Sequence, residues 1–265
     1  MQEREQHPAA DAGMRLGTTR RTEIIRLLNR HQSLPVAELS DLLDVSEATI
    51  RRDLDRLQSD GVVVRTHGGA VIGAEKAVFR MPDSIPNIDA KRRIARVAAG
   101  MIAEGDTIAL DAGTTTAELA RCVRHRTGLT VVTNDLHIAY ELTEAPGITL
   151  NVTGGTLQGR FYALQGPLAL QTIRSVHTAQ AFLGLSALSP TSGVTDPSLA
   201  AAEIKSAMME SSERTILIAD STKLGKTAFA RVAELDAVHT LITDEAAPKR
   251  VLAEIRERGV SVIVA

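Results

Sequence analysis

A chain of 265 residues is long for one compact domain and comfortable for a small domain plus a medium one, and a hydrophobic fraction of 44% excludes wholesale disorder. A net charge of −2 excludes attraction of a polyanion by the bulk field, so a nucleic-acid partner has to be met by a local basic patch. Aromatic residues at 2% are too few for the base-stacking platforms of single-strand and RNA binders, and a single cysteine, Cys122, excludes an internal disulfide and suits a reducing cytoplasm.

No apolar run is long enough to span a bilayer, and Met1 to Arg15 is too polar for a signal peptide, so a cytoplasmic location is expected. Residues 1–17 lack apolar periodicity and read as a disordered tail. From Thr18 to Arg30, Ile24, Ile25, Leu27 and Leu28 form an apolar stripe that predicts a first helix, whose Arg20 and Arg21 can touch phosphate. Val36, Leu39, Leu42 and Leu43 predict a shorter amphipathic helix, and Asp44 and Val45 a tight connection.

The stretch VSEATIRRDL, residues 45–54, then opens a third helix. Ser46 is its N-cap, since the hydroxyl can accept an N–H that the first turn leaves unpaired, and Glu47 sits at the positive end of the helix dipole. Ile50, Leu54 and Leu57 share one buried face, which turns Thr49, Arg51, Arg52 and Arg56 outward. Gly61 ends this helix, Val62 to Thr66 is strand-like, and His67-Gly68-Gly69 is read as supplying positive φ angles for a hairpin before Ala70-Val71-Ile72. Residues 18–72 thus predict a small winged helix-turn-helix domain. Its recognition helix would enter the major groove, where an Arg can contact guanine in bidentate fashion, while Arg65 and His67 on the wing meet the phosphate backbone of duplex DNA. Arginines on an exposed helix face also occur with no partner; the order of cap, turn, second helix and Gly-Gly hairpin favours the reader.

VSEATIRRDL followed by THGGA resembles the amino-terminal signature of the DeoR family of bacterial transcriptional repressors. The resemblance implies double-stranded operator DNA as a partner, and later motifs extend it from Thr18 to the carboxyl end.

Residues 73–90, interrupted by Pro82 and Pro86, read as a linker. Helical spacing resumes at Lys91 through Ile94, Val97, Ala98, Met101 and Ile102, and Gly105 stops it. Candidate strands follow at Thr107 to Leu110, Thr130 to Val132, Ile148 to Val152, Ala181 to Gly184, Thr215 to Ala219, Thr240 to Thr243 and Val260 to Val264, with helical patterns between most of them. Such alternation predicts that residues 91–265 form a mainly parallel α/β domain covered by helices on both faces. Cys122 falls in the helical stretch Ala117 to Val123 and is read as a buried structural thiol. No His or Cys pair has the spacing of a zinc site, so neither metal nor cofactor is expected.

The strand TIALD runs into Gly113, Thr114, Thr115 and Thr116 and then the helix AELA, an arrangement whose unpaired N–H groups and dipole attract phosphate. A capping box between Thr115 and Glu118 is the alternative. Thr133 and Asn134 in VVTND, Gly154 and Gly155 in NVTGG, and Asp220 and Lys223 in ILIADSTKLG stand beyond other strands, and all should open on one crevice. Together these motifs resemble the DeoR-family sensor domain, which is similar to ribose-phosphate isomerases and typically binds sugar phosphates as inducers. That resemblance carries Asp111, Gly113, Thr114, Thr115, Thr116, Asn134 and Lys223 into an effector site. Lys205, in AEIKSAMME, lies toward a helix-face boundary and reads either as an effector contact or as a solvated lysine. Leu224 departs from the family, which favours an aromatic there.

The expectation is a winged helix-turn-helix repressor of a sugar or related carbon catabolic operon, assembled as a homodimer or homotetramer and released from its operator by a phosphorylated sugar. A sugar-phosphate isomerase using Asp111, Glu203, Lys205 and Asp220 is the rival reading, and an activator with the same sensor is another.

Overall fold

The computed structural model describes residues 19–28, 31, 33–59, 63–66, 69–72, 85–158 and 162–265. The chain divides into two compact units, Met1–Arg80 and Met81–Ala265.

The first unit holds α1 (19–28), β1 (Ser33–Pro35), α2 (Val36–Leu43), α3 (Glu47–Ser59), β2 (Val63–Thr66) and β3 (Gly69–Ile72). Its antiparallel sheet has the order β1-β3-β2. Ile24 and Leu28 of α1, Val36 and Leu39 of α2 and Ile50, Leu54 and Leu57 of α3 close one core with Leu34, Val63 and Ala70. Between α2 and α3, Asp44 takes the left-handed conformation at φ 50°, and the Ser40 hydroxyl donates to the Val45 carbonyl at 2.5 Å. Leu42 departs from the expected stripe. It is 53% exposed, because Val36, Leu39 and Leu43 already fill the inward line of this eight-residue helix. Gly69 is a second correction. It lies inside β3 without a positive φ, and a Cβ there would stand 2.4 Å from the Leu34 carbonyl oxygen, so the glycine permits close approach of β1 rather than shaping the turn. Gly61, His67 and Gly68 lie outside the described residues.

The second unit opens with α4 (Ile88–Ala99), which begins inside the stretch read as linker. A seven-stranded sheet follows, with β4 (Thr107–Leu110), β5 (Leu129–Thr133), β6 (Ile148–Val152), β9 (Thr178–Leu183), β12 (Ser212–Ile218), β14 (Thr240–Thr243) and β15 (Ser261–Val264) in the order β15-β14-β12-β9-β4-β5-β6. Every pairing in it is parallel. Successive residues along a strand point to opposite faces, so Ile108, Leu110, Phe182 and Ile216 pack against α4, α5 (Thr114–Val123) and α6 (Leu136–Leu142). Ala109, Ala181, Leu183 and Leu217 face α7 (Pro167–Arg174), α8 (Leu199–Glu210) and α9 (Lys249–Glu257) instead. Each fully buried Leu or Ile in these two layers contributes about 1.5 to 3 kcal/mol.

All seven expected strands belong to this sheet. Unforeseen are the hairpin of β7 (Thr156–Gln158) with β8 (Ala163–Gln165) and the antiparallel sheet of β10 (Ala187–Ser189), β11 (Gly193–Asp196) and β13 (Ala230–Ala233). Leu224 is buried in the core on the α8 side, so it packs where the family favours an aromatic. Cys122 corrects the expectation of a buried thiol: it is exposed, and partial desolvation together with Glu118 raises its pKa and disfavours the reactive thiolate.

Candidate nucleic-acid interface and effector crevice

Ser46 caps α3, its hydroxyl accepting the Thr49 N–H at 3.3 Å and sharing a hydrogen bond with the Thr49 hydroxyl at 2.9 Å. Glu47 and Arg51 pair at 2.6 Å on the exposed face, a contact weak enough to yield to DNA. Arg52 and Arg56 are exposed beside them, and the Arg52 side chain has no hydrogen bond or ion pair to a described residue. Arg20 and Arg21 behave differently from the expectation of phosphate contact alone. Both reach Asp53 of α3, at 2.6 and 3.6 Å, and Asp53 is 5% exposed, so the two arginines brace α1 against the recognition helix. Arg65 of β2 pairs with Asp55 at 2.6 Å and ties the wing to the same helix. His67 lies outside the described residues.

In the second unit, β4 is where the chain order reverses: β5 and β6 extend the sheet to one side, and β9, β12, β14 and β15 to the other. Ligands of open α/β sheets sit at the carboxyl ends of the strands flanking such a reversal. Asp111 follows β4 there, and Lys205 of α8 contacts its Oδ2 and donates to the Gly184 carbonyl, just past β9, at 2.9 Å. Both side chains are buried. Burial raises the Asp111 pKa, Lys205 opposes that shift, and the charge of Asp196 on β11 adds to it. The sequence placed Lys205 at a helix-face boundary; the structure puts it inside.

The loop after Asp111 is held by its own neighbours. Ala112 N–H donates to Asn134 Oδ1 at 3.2 Å and Gly113 N–H to Asp135 Oδ2 at 3.1 Å. The Thr116 hydroxyl donates to the Gly113 carbonyl at 2.8 Å. No side chain caps α5. Glu118 pairs with Arg121 and, at 3.5 Å, with Arg92, so the capping box is not formed. The N–H groups of Thr114, Thr115 and Thr116 meet no acceptor among the described residues, so the positive end of a ten-residue helix stands beyond the carboxyl end of β4, with Thr114 partly exposed and Thr115 and Thr116 buried.

The other expected effector residues divide by what their polar atoms are doing. The Thr133 hydroxyl donates to the Leu110 carbonyl at 2.7 Å and accepts the Asp135 N–H at 3.1 Å, while Asn134 also donates to the Leu164 carbonyl at 3.1 Å, so both are used to join β5 to its surroundings. Gly155, at φ 126°, is required because a Cβ would stand 2.5 Å from the Gln165 carbonyl oxygen; Gly154 lies against Leu168. Asp220 accepts from Asn87 Nδ2 and Thr222 N–H, each at 3.1 Å, and lies 3.7 Å from Lys91 Nζ. Lys223 ends the short helical turn Ser221–Lys223 and is partly exposed.

Sequence reasoning missed Asp135, Lys91, Asn87 and Asp196. Asp135 had a signal, an acidic N-cap ahead of LHIAYEL, and it accepts the N–H groups of His137 and Ile138 at 2.6 and 3.2 Å. Burial pushes its pKa up to about 6 against those hydrogen bonds. A groove of about 530 Å³ lies apart from these residues, lined by Pro167, Leu170 and Arg174 of α7 and Glu203 of α8; none of the expected effector residues lines it. Among the described residues no His, Cys, Asp or Glu group could hold a metal ion, and no helix is long and apolar enough to cross a membrane.

A winged helix-turn-helix unit joined in one chain to a parallel α/β unit is the architecture of a DNA-binding transcriptional regulator. The family model described as the DeoR-like helix-turn-helix domain matches residues 20–76, and that described as the DeoR C-terminal sensor domain matches residues 86–245: the chain belongs to the DeoR family. It is similar to the HTH-type transcriptional regulator GlpR of Haloferax volcanii, 37% identical over 94% of this chain and 98% of the relative. The transcriptional repressor AccR of Agrobacterium fabrum is 36% identical over 85% of this chain and 88% of that protein. The L-fucose operon activator of Haemophilus influenzae is 32% identical over 85% and 91%.

Proposed function

We propose that this regulator represses an operon of sugar or related carbon catabolism and leaves its operator when a phosphorylated sugar binds at the carboxyl edge of the sensor sheet. The observation that carries the reading is the trio of unpaired amides at Thr114, Thr115 and Thr116, which heads α5 beside the reversal point of the sheet. Asp111 and Lys205 supply an acceptor and a cation for sugar hydroxyls next to it, and Lys223 a further cation. Asn134, Thr133, Gly154, Gly155 and Asp220 shape the crevice.

The reader is residues 18–72, joined by a linker to a sensor that starts at Ile88. Arg51, Arg52 and Arg56 face the major groove; Arg65 and His67, with Arg20 and Arg21, lie toward phosphate, and Ser46, Glu47 and Thr49 sit at the end of α3 that approaches the bases. Two or four copies in the cytoplasm would match repeated operator half-sites, and the chain performs no catalysis. A thermal-shift screen against pentose and hexose phosphates tests the effector, since a compound at a hundred times its dissociation constant adds about 2.7 kcal/mol of stability. Gel shifts on a duplex selected from a random pool by this protein, repeated with any compound that binds, then decide between release and recruitment. Tighter DNA binding with the compound present would overturn release by the effector.

A further inference from the structure

Asp220 holds two things at once. Its backbone and carboxylate cap the turn that carries Lys223, and the same carboxylate accepts from Asn87 at 3.1 Å and faces Lys91 Nζ at 3.7 Å. Asn87 stands in the left-handed conformation, φ 57° and ψ 34°, at the head of α4, yet its side chain makes no capping bond to that helix. An Asn in this position ordinarily satisfies a helix N–H; here its amide is turned to a residue 133 positions away. Lys91, one turn into α4, closes the loop by donating Nζ to the Pro86 carbonyl at 2.8 Å. Lys91 and Asp220 are 7% and 2% exposed. Burial lowers the Lys91 pKa, the Asp220 charge opposes that shift, and the Lys223 charge adds to it, which places the second lysine within electrostatic reach of the first.

The position of this cluster in the chain gives it consequence. Residues 85–91 are where the polypeptide enters the sensor from the reader, a few residues beyond the unit boundary at Met81. A carboxylate that binds both the entry segment and the turn presenting Lys223 links the two.

We propose that Asn87, Lys91 and Asp220 form a clasp that passes effector occupancy to the DNA reader: a phosphate on Lys223 competes with Asp220 for Lys91, and the bonds from Asp220 to Asn87 and Lys91 are lost. The inference rests on the effector reading above. The competition follows from charge. A phosphate dianion repels the Asp220 carboxylate and attracts Lys91, which is too buried to stay unpaired, so the ammonium has two discrete partners and the first turn of α4 two states. Only such a differential interaction lets a ligand shift an equilibrium.

The test uses the full-length chain, inorganic phosphate, and the sugar phosphate giving the largest thermal shift. In the parent, that sugar phosphate should speed amide exchange at residues 88–91 and weaken binding to the selected duplex, within the roughly 5- to 150-fold range of ordinary couplings. Asn87→Gly keeps the left-handed backbone without strain and removes the bond to Asp220; Lys91→Met removes the charge at similar length. Asn87→Gly should still bind the sugar phosphate and Lys91→Met should bind it more weakly, and at saturating sugar phosphate neither variant's DNA affinity should respond to it. Variants that release DNA as the parent does, or unchanged exchange at residues 88–91 in the parent on binding, would overturn the clasp and leave the effector reading standing. If no probe shifts the melting or the DNA affinity of the parent, the effector reading fails and the clasp with it.

Discussion

Lys205 of α8 and Asp111 at the end of β4 meet across the point where the sheet reverses its chain order, both of them buried, and Lys205 also binds the Gly184 carbonyl that follows β9. One ammonium therefore joins the carboxyl ends of β4 and β9. A buried pair of this kind adds little net stability over an apolar pair, but removing one partner leaves an uncompensated charge.

Lys205→Met should accordingly cost about 3 to 5 kcal/mol, whereas Lys205→Met combined with Asp111→Leu should recover much of that loss. Urea denaturation of the two single variants and the double variant measures the coupling. Additive losses would show that the two side chains do not interact.

Asp135 predicts a pH signature. Its folded pKa is raised from 3.8 to about 6, so between those values the folded chain holds a proton that the unfolded chain has released. Stability should fall as pH rises through that window, by on the order of 3 kcal/mol at most, and level off above it. The Asp135→Asn variant should lack this component of the slope in denaturation profiles taken from pH 3.5 to 7, a range chosen to bracket the shift.

Replacing Arg51 and Arg52 together by Ala should abolish selective DNA binding without changing stability, because both side chains lie on the exposed face of α3. Each lost guanine contact should cost about 1 to 3 kcal/mol of discrimination, and a lost phosphate contact should flatten the salt dependence. Gel-shift titrations at several salt concentrations measure both. Unchanged affinity would remove α3 from the role of reader.

A carboxylate at the head of α5 should block the effector. Thr115 is 6% exposed, so a longer charged side chain there would be buried, whereas Thr114 is only partly buried. Thr114→Glu places the charge where the helix dipole accepts it and where it repels a phosphate. Fluorescence anisotropy on the selected duplex should show that the sugar phosphate no longer weakens DNA binding. A response equal to that of the parent would place the phosphate elsewhere.

Local periodicity sufficed for the main elements. Ile50, Leu54 and Leu57 on one side of α3, and apolar runs such as Ile216-Leu217-Ile218, are set by the pitch of a helix and by burial of a parallel strand on both faces. The three-residue strands β1, β7, β8 and β10 are too short to carry an alternation, and they exist because a neighbouring strand supplies their hydrogen bonds. Gly69 could be recognised in sequence as special, but its reason, the Leu34 carbonyl, comes from another strand. The sequence leaves Lys205 open between an effector contact and a solvated lysine, and marks Lys91 only as the start of a helical pattern. A lysine side chain is long enough to serve in solvent or to reach inward, and only the carboxylates brought beside these two, Asp220 from 129 positions downstream of Lys91 and Asp111 from 94 positions upstream of Lys205, decide that both are buried.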